Sequence, residues 1–305
     1  MTGMGIGGRC ARAAVRAAAV AGAALALAGA ARAADLTRYL PPPGAGYVTE
    51  EVRLRVTGQV SLAGTVSLPG RGVLANGRTR RYAAVLVLGD ASREDRDGAA
   101  EGDSSATAFR PLRDVADTLA DRGLAVLRLD DRGVGASTGP DSTTASDRVD
   151  DAMAAVALLR RRGDVDPRRI AVVGLGEGAV TAAQLAAADP AVRAIVLLAP
   201  PPPPLAAAAP ALVLQGDADT VVPRDAADAW VRALREAGAD ATMTRFPRLG
   251  HDFVAAADRG APVVAAVVRG VVADWLAARL GGAIEVAAPK PRPHAAPKRR
   301  HHRRR

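Results

Sequence analysis

The residues that could carry chemistry stand in three short segments, each soon after a predicted strand. The first reads Gly174-Leu175-Gly176-Glu177-Gly178 and follows the run Ile170–Val173. Asp219 and His251 come later, and His251 is the only histidine outside the C-terminal tail. A tight turn, an acid and an imidazole in this order are the parts of a site for nucleophilic acyl transfer. The middle of the turn, where the nucleophile should stand, is Gly176, which has no side chain.

Two loops nearer the N-terminus also follow apolar runs. One begins after Leu129 and reads DDRGVGASTG. The other follows Tyr82–Gly89 and contains Asp95-Arg96-Asp97-Gly98. Because sites in open parallel sheets form where the strands end, we expect both loops to lie beside the turn at Gly176.

Taken together, these segments resemble the α/β-hydrolase superfamily, and within it the bacterial esterases and serine-aminopeptidase-like hydrolases, which include dienelactone-hydrolase-like proteins. The turn is similar to the G-x-S-x-G nucleophile elbow of that fold, and DDRGVGASTG is similar to the DDRGxGxSxG loop of the subfamily. The resemblance covers about Glu51 to Leu280. It implies a catalytic triad in which Asp219 is the retained acid, His251 the retained base and Gly176 the vacant nucleophile position.

The loop that the resemblance assigns to the oxyanion hole departs from the family pattern. The oxyanion-hole positions are implied to be Asp90, Ala91 and Glu177. The subfamily has a glycine-rich loop here, whereas this chain reads Gly89-Asp90-Ala91-Ser92. A carboxylate at Asp90 that points inward would oppose the negative charge that an oxyanion hole stabilises.

The segment where relatives insert a lid is also altered. Ala199–Pro210 reads APPPPPLAAAAP. Consecutive prolines hold an extended path and cannot start a long helix. We expect a short strap with no cap domain, and a site without a lid excludes water poorly.

The elements that must position these residues alternate along the chain. Alternating polarity predicts a β-hairpin from Glu51–Val56 and Val60–Leu68. Further strands are predicted over Tyr82–Gly89, Ala125–Leu129, Ile170–Val173, Ile195–Leu198, Leu212–Leu214 and Ala241–Phe246. Helices are predicted over Arg110–Arg122, Asp147–Arg162, Ala179–Ala188, Arg224–Ala237 and Pro262–Leu280. This alternation predicts an α/β protein with a doubly wound, mainly parallel sheet.

Three other interpretations of these residues stay open. Ser137 or Ser92 could approach His251 and replace the missing nucleophile, although neither stands on the elbow. The pair Asp131-Arg132 could be a buried structural ion pair that holds its loop. Gly-x-Gly-x-Gly also occurs in nucleotide-binding turns, but the acidic residue of the dinucleotide pattern is absent.

The chain ends differ in composition from the body. Residues 1–33 read as a signal peptide, with arginines, an apolar stretch and a small-x-small cleavage site, so we expect export to the periplasm or the extracellular space. Cleavage would remove Cys10, the only cysteine, and with it any disulfide or thiolate metal site. We expect a flexible lead over 34–50, a hydrolase domain over 51–282 and a disordered basic tail over 283–305.

The net charge of +9 comes from the two ends of the chain. Removing the four arginines of residues 1–33 and the eight basic residues of 289–305 leaves −3 for the rest. The body therefore gives no reason to expect specific nucleic-acid binding. The tail is either simply solvated or a contact for an anionic envelope surface.

Two classes of function follow from these observations. The first is an exported pseudo-hydrolase, non-catalytic or strongly impaired, whose pocket could still hold a small ester-like ligand. The alternative is a weak esterase. In it, either a His251–Asp219 dyad activates water as the attacking group, or a non-standard serine is the nucleophile. No cofactor or metal is expected for either, and the oligomeric state does not follow from the sequence.

Overall fold

The computed structural model describes residues 37–70, 78–90, 93–103, 105, 107–205, 207–254, 262–282 and 284–287. The expected signal peptide, Ala91, Ser92 and residues 288–305 of the tail lie outside these residues.

Nine strands and five α-helices build the described part of the chain. The strands are β1 (Val48–Arg55), β2 (Ser61–Leu68), β3 (Arg78–Leu88), β4 (Ala125–Leu129), β5 (Val165–Leu175), β6 (Ala194–Leu198), β7 (Ala211–Gly216), β8 (Ala241–Phe246) and β9 (Ile284–Ala287). The helices are α1 (Pro111–Asp121), α2 (Ala145–Arg161), α3 (Glu177–Ala188), α4 (Ala226–Glu236) and α5 (Ala266–Leu280). A 3₁₀ turn over Thr37–Tyr39 precedes them.

The strands form a sheet in the order β1-β2-β4-β3-β5-β6-β7-β8. β1, β2 and β4 pair antiparallel, and every neighbouring pair from β4 through β8 is parallel. Crossovers place α1 and α5 on one face of the sheet and α2, α3 and α4 on the other, each face with its own apolar core. This confirms the prediction of a doubly wound, mainly parallel sheet, with an antiparallel hairpin at one edge.

Interactions between residues that are close in sequence define where two of the helices begin. Pro111 occupies the first turn of α1, where its missing N–H costs no helical hydrogen bond. Thr144 caps α2, and its side chain and that of Asp147 each accept a hydrogen bond from the other residue's amide. α2 therefore begins before the predicted Asp147. Met153 of this helix is 43% exposed, and the residues that face the core are Ala152, Ala155, Val156 and Leu159.

Both boundaries of the predicted domain need correction. In the described part of the lead expected to be flexible over 34–50, Tyr39 and Tyr47 are 5% and 4% exposed, and β1 already begins at Val48. The tail expected to begin at residue 283 contributes β9, which pairs antiparallel with the start of β3. An alternating Ile284-Glu285-Val286-Ala287 segment is long enough to add a short edge strand.

The strap between β6 and β7 has no helix or strand in its described residues, 199–205 and 207–210. It packs back on the domain, since Trp230 of α4 donates an indole hydrogen bond to the carbonyl of Pro201. Within the described residues, no helix is long and apolar enough to cross a membrane.

Candidate active site

The turn between β5 and α3 has the backbone of a nucleophile elbow. β5 ends at Leu175, α3 begins at Glu177, and Gly176 between them has φ +54° and ψ −121°. This conformation is strained for a residue with a side chain, and such strain is concentrated at functional positions.

The flanking glycines make the elbow sterically possible. A Cβ atom at Gly174 would lie 2.1 Å from the carbonyl oxygen of Gly178. A Cβ atom at Gly178 would lie 2.2 Å from the carbonyl oxygen of Gly89, directly after β3. Both distances are far shorter than a van der Waals contact, so only glycine allows strand and helix to approach this closely.

The acid and base predicted from the sequence meet in the structure. Asp219 Oδ2 lies 3.0 Å from His251 Nδ1. The other carboxylate oxygen of Asp219 accepts hydrogen bonds from the amides of Val221 and Val222, and the side chain is 1% exposed. The acid is therefore fixed by its own turn and holds the imidazole with Nε2 directed away from it.

A second carboxylate stands on the other side of His251. Asp90 Oδ1 accepts a hydrogen bond of 3.0 Å from the backbone N–H of Glu177, and Oδ2 lies 3.9 Å from His251 Nε2. The amide after the elbow residue is the one that donates to the oxyanion in this type of site. The structure thus shows Asp90 pointing inward and occupying that donor.

The same carboxylate fills the space that a nucleophile would need. A Cβ atom at Gly176 would lie 2.5 Å from both Cγ and Oδ1 of Asp90. Real Cβ atoms do not approach other atoms this closely. Gly176 and Asp90 are therefore sterically coupled, because a side chain at position 176 would require the Asp90 carboxylate to move.

These surroundings favour a charged imidazole. The neighbouring Asp90 carboxylate raises the pKa of His251 most, and Asp219 and Asp252 add to the effect, so the pKa rises from 6.5 to about 9 against the opposing effect of burial. At 3.9 Å, the contact with Asp90 is an ion pair rather than a direct hydrogen bond. At neutral pH, His251 is an imidazolium ion that can donate a proton, and it cannot accept one.

The loop that carries Asp90 rests on a buried ion pair other than the Asp131–Arg132 pair that the sequence suggested. Arg96, which is fully buried, forms a bidentate pair with Asp130 at 2.9 and 2.7 Å. Arg132 pairs with Asp147 and Asp151 of α2 instead of with Asp131. Adjacent residues in this tight loop point in different directions, so their side chains reach different partners.

Of the two serines that could replace the missing nucleophile, Ser137 lies among the described residues. Ser137 is buried; its hydroxyl donates to the carbonyl of Asp130 and accepts from the amide of Ala63. These two hydrogen bonds assign it a structural role in the loop. Ser92 and the expected oxyanion position Ala91 lie outside the described residues.

A small pocket opens beside Asp90. Its apolar wall comes from Leu62, Val87, Leu88, Leu129 and Ala152, and its rim includes Asp90, Asp131 and Arg148. No group of His, Cys, Asp and Glu within the described residues is arranged to hold a metal ion. The pocket therefore places the Asp90 carboxylate beside an apolar surface, and His251 lies outside its lining.

Solved structures with the same fold include several esterases. The Pyrococcus furiosus esterase Pf2001 aligns with a TM-score of 0.57 and 18% identity over 79% of this chain and 96% of its own. A dienelactone hydrolase from Anabaena variabilis aligns with a TM-score of 0.56 and 20% identity over 77% of this chain and 99% of its own. A Xanthomonas campestris serine hydrolase described as without a lid aligns with a TM-score of 0.51 and 22% identity over 70% and 88%. These likenesses establish the lidless α/β-hydrolase fold.

Comparison at the level of sequence gives two results. No curated protein matches the chain. The model of the dienelactone hydrolase family matches residues 112–277, more than half of the chain, and this stretch contains the elbow, Asp219 and His251. The chain therefore belongs to the dienelactone hydrolase family.

Proposed function

We propose that this protein is an exported pseudo-hydrolase with respect to carboxylic esters, unable to use its elbow for acyl-enzyme chemistry. The observation that carries the proposal is the position of the Asp90 carboxylate. It occupies the place of the nucleophile and accepts the hydrogen bond of the Glu177 amide.

Three physical reasons support impaired ester hydrolysis. Gly176 supplies no atom that could form an acyl-enzyme. A carboxylate on the oxyanion donor repels the negative charge of a tetrahedral intermediate, and losing one such donor costs on the order of 10²–10³-fold in rate. With a pKa of about 9, His251 is already protonated at neutral pH and cannot act as a general base.

A weak esterase that uses the His251–Asp219 dyad is the second candidate, because the dyad contact of 3.0 Å is intact. The raised pKa gives this candidate a distinct signature. Its rate should increase as the pH rises through about 9, where the imidazole becomes neutral. The proposal also includes a small ester-like ligand in the pocket beside Asp90. The basic tail of the exported protein would contact an anionic envelope surface.

The test is to rebuild the ester site in two steps. We expect Gly176→Ser alone to stay inactive, because the new Cβ would overlap the Asp90 carboxylate. Asp90→Gly combined with Gly176→Ser removes the overlap and frees the Glu177 amide. The double variant should hydrolyse an activated p-nitrophenyl ester and become labelled by a fluorophosphonate.

The matched control is Gly163→Ser, an exposed glycine with open space around its would-be Cβ atom. It should leave ester hydrolysis at the natural level. Ester hydrolysis by the natural protein at the rate of a competent esterase would contradict the proposal. So would activity of Gly176→Ser equal to that of the double variant.

A further inference from the structure

The end of the sheet opposite the candidate active site carries exposed arginines on neighbouring strands. Arg80 lies near the start of β3, Arg168 near the start of β5 and Arg193 directly before β6. These three strands are adjacent in the sheet and run parallel. Because neighbouring strands lie about 4.8 Å apart, the three arginines belong to one region of the surface. We call this region the basic end.

The carboxylates near the basic end are used by other arginines. The ion pairs there are Arg160–Asp189, Arg162–Asp164 and Arg169–Asp166. Within the described residues, no hydrogen bond or ion pair joins the side chain of Arg80, Arg168 or Arg193 to another group. Glu285 of β9 stands opposite Arg80 in the strand register, but Arg78 and Arg81 on the same stretch of β3 outweigh its charge. A surplus of positive charge therefore remains at this end.

The other end of the sheet has the opposite character. The loops that follow the strands carry acidic residues around the elbow and the histidine loop, namely Asp90, Asp131, Glu177, Asp217, Asp219 and Asp252. At about 3.3 Å per strand residue, Arg80 and Asp90 lie roughly 30 Å apart along β3. This separation is well beyond the Debye length of about 8 Å at physiological ionic strength, so each end presents its own charge to its surroundings.

The basic tail leaves the described fold at the basic end. β9 pairs antiparallel with the start of β3, and Ala287 lies opposite Arg78. Residues 288–305 follow Ala287 directly and carry eight Lys and Arg residues without an acidic one. The charges of the tail and of the strand starts therefore add together at the same end of the molecule.

We propose that the basic end and the tail dock together on an anionic phospholipid bilayer, with the candidate active site directed away from the lipid. This inference rests on the part of the proposed function that places the tail against an anionic envelope surface. It adds a folded face to that contact and gives the bound protein an orientation. The acidic end is repelled by the same surface, so the pocket beside Asp90 stays open to water and a ligand enters it from the aqueous phase.

A lipid bilayer suits these charges better than a nucleic acid does. Arginine binds phosphate groups through its planar, bidentate guanidinium. A plane of headgroups can contact the tail and several strand starts at once. Proteins that bind single-stranded nucleic acid stack aromatic side chains on the bases, whereas residues 288–305 contain no Phe, Tyr or Trp. The expected signal peptide also leads to the compartment in which envelope lipids are exposed.

The first test is sedimentation with lipid vesicles. The protein used is residues 34–305, which contain every described helix and strand and lack the apolar stretch of the expected signal peptide. It should sediment with vesicles of equal parts phosphatidylglycerol and phosphatidylcholine, and stay in solution with phosphatidylcholine alone. Added salt should weaken the binding, because salt screens the charges. No binding to the anionic vesicles would overturn both this inference and the tail contact of the proposed function.

Variants separate the basic end from the tail. Changing Arg80, Arg168 and Arg193 together to Gln should lower vesicle binding on the order of 10²-fold, since each basic residue near an anionic surface contributes about fivefold. The matched control changes Arg55, Arg224 and Arg248 to Gln, three exposed arginines at strand ends on the side of the candidate site. It removes the same net charge, but it should change binding by less than about threefold because these arginines lie beyond the Debye length from the lipid.

Both triple variants should keep the natural circular dichroism spectrum. Equal losses of binding in the two variants would show that only net charge matters and would overturn the role of the basic end. Natural binding in the first variant would show that the tail binds alone, so this inference would fail while the tail contact of the proposed function survived.

Orientation on the vesicle gives a readout that attraction by the tail alone would not give. Residues 34–305 contain no cysteine, so Gly163→Cys and Asp252→Cys each provide one site for a polarity-sensitive fluorophore. Gly163 is exposed beside the start of β5, and Asp252 is exposed next to His251. Vesicles should change the emission of the label at 163 and leave that at 252 unchanged. The reverse pattern, or equal changes at both positions, would overturn the proposed orientation.

A competing polyanion tests the choice of lipid. Tighter binding to duplex DNA than to the anionic vesicles, at equal phosphate concentration, would overturn the assignment of a lipid surface. None of these measurements uses an ester or the elbow, so this inference and the loss of ester hydrolysis can fail separately.

Discussion

The two sides of His251 present carboxylates of opposite character. Asp219 is 1% exposed, is tied by two amides of its own turn and contacts Nδ1 at 3.0 Å. Asp90 is 36% exposed, uses one oxygen on the Glu177 amide and stands 3.9 Å from Nε2. Asp219 orients the imidazole through a direct contact with Nδ1, whereas Asp90 acts on it as a more exposed neighbouring charge. We refer to these as the orienting side and the rebuilt side.

The largest expected effect concerns what holds the rebuilt side in place. Asp130→Asn removes one charge of the buried Arg96–Asp130 pair and leaves the buried Arg96 with only the partly exposed Glu51 as its ion-pair partner. The free energy of unfolding should fall by about 3–5 kcal/mol, measured by urea denaturation. Arg122→Gln, at an exposed ion pair with Asp274, should cost no more than about 1 kcal/mol. Equal losses would mean that the buried pair gives the loop no special support.

The coupling between Gly176 and Asp90 gives the next largest effect. Relative to the natural protein, Asp90→Gly with Gly176→Ser should raise activated-ester hydrolysis by about 10²–10³-fold, the effect of freeing an oxyanion donor. Each single change should give less than about tenfold. The double-mutant cycle should therefore be strongly non-additive, as expected for residues in contact. Additive single effects would show that the two positions do not share one space.

A third prediction concerns pH and tests whether both sides act on His251. The pKa of His251 is raised from 6.5 to about 9 in the folded state. The stabilisation that the charged imidazole gives to the folded protein is therefore fully present below pH 6.5. That contribution should be lost as the pH rises through about 9. Asp90→Asn should lower the pKa, as followed by NMR titration of the imidazole. An unchanged pKa of His251 in this variant would show that the Asp90 charge does not raise it.

The smallest effect is expected at Asp131, which also belongs to the rebuilt side. Burial raises the pKa of this carboxyl to about 6, so folding disfavours its ionised form. Stability should increase slightly as the pH falls through 6. Asp131→Asn keeps an oxygen that can accept from the Glu94 amide and should raise the free energy of unfolding at pH 7 by about 1 kcal/mol. A clear loss of stability in thermal denaturation would contradict this sign.

Much of the fold could be predicted because its signals are local. Buried strands appear as apolar runs, and β4 and β8 begin and end where the sequence analysis placed them. The helices were also located, although α2 begins earlier because of the Thr144 cap. The two chain ends were assigned less well. Tyr39 and β9 gain their stability from distant partners, which a window of sequence does not contain.

Some contacts of the site could likewise be predicted from the sequence, and others could not. The Asp219–His251 pair could be predicted because each residue stands in a short recognisable turn. The Arg96–Asp130 pair could not, since the choice between Asp130 and Asp131 depends on the directions of side chains in a tight loop. Acidic and basic residues in both loops indicated that some ion pair would form, but not which one.

The sequence by itself determined that the elbow has no nucleophile and that an acid and a base follow it in order. Only the tertiary structure decided what fills the vacant place. Parallel pairing of β3 with β5 sets Leu88 beside Gly174, so the loop after β3 meets the elbow at the same edge of the sheet. Asp90 can then reach the Glu177 amide because Gly176 leaves its space empty. That contact joins residues far apart in the chain, and its existence depends on strand register, which the sequence pattern does not specify.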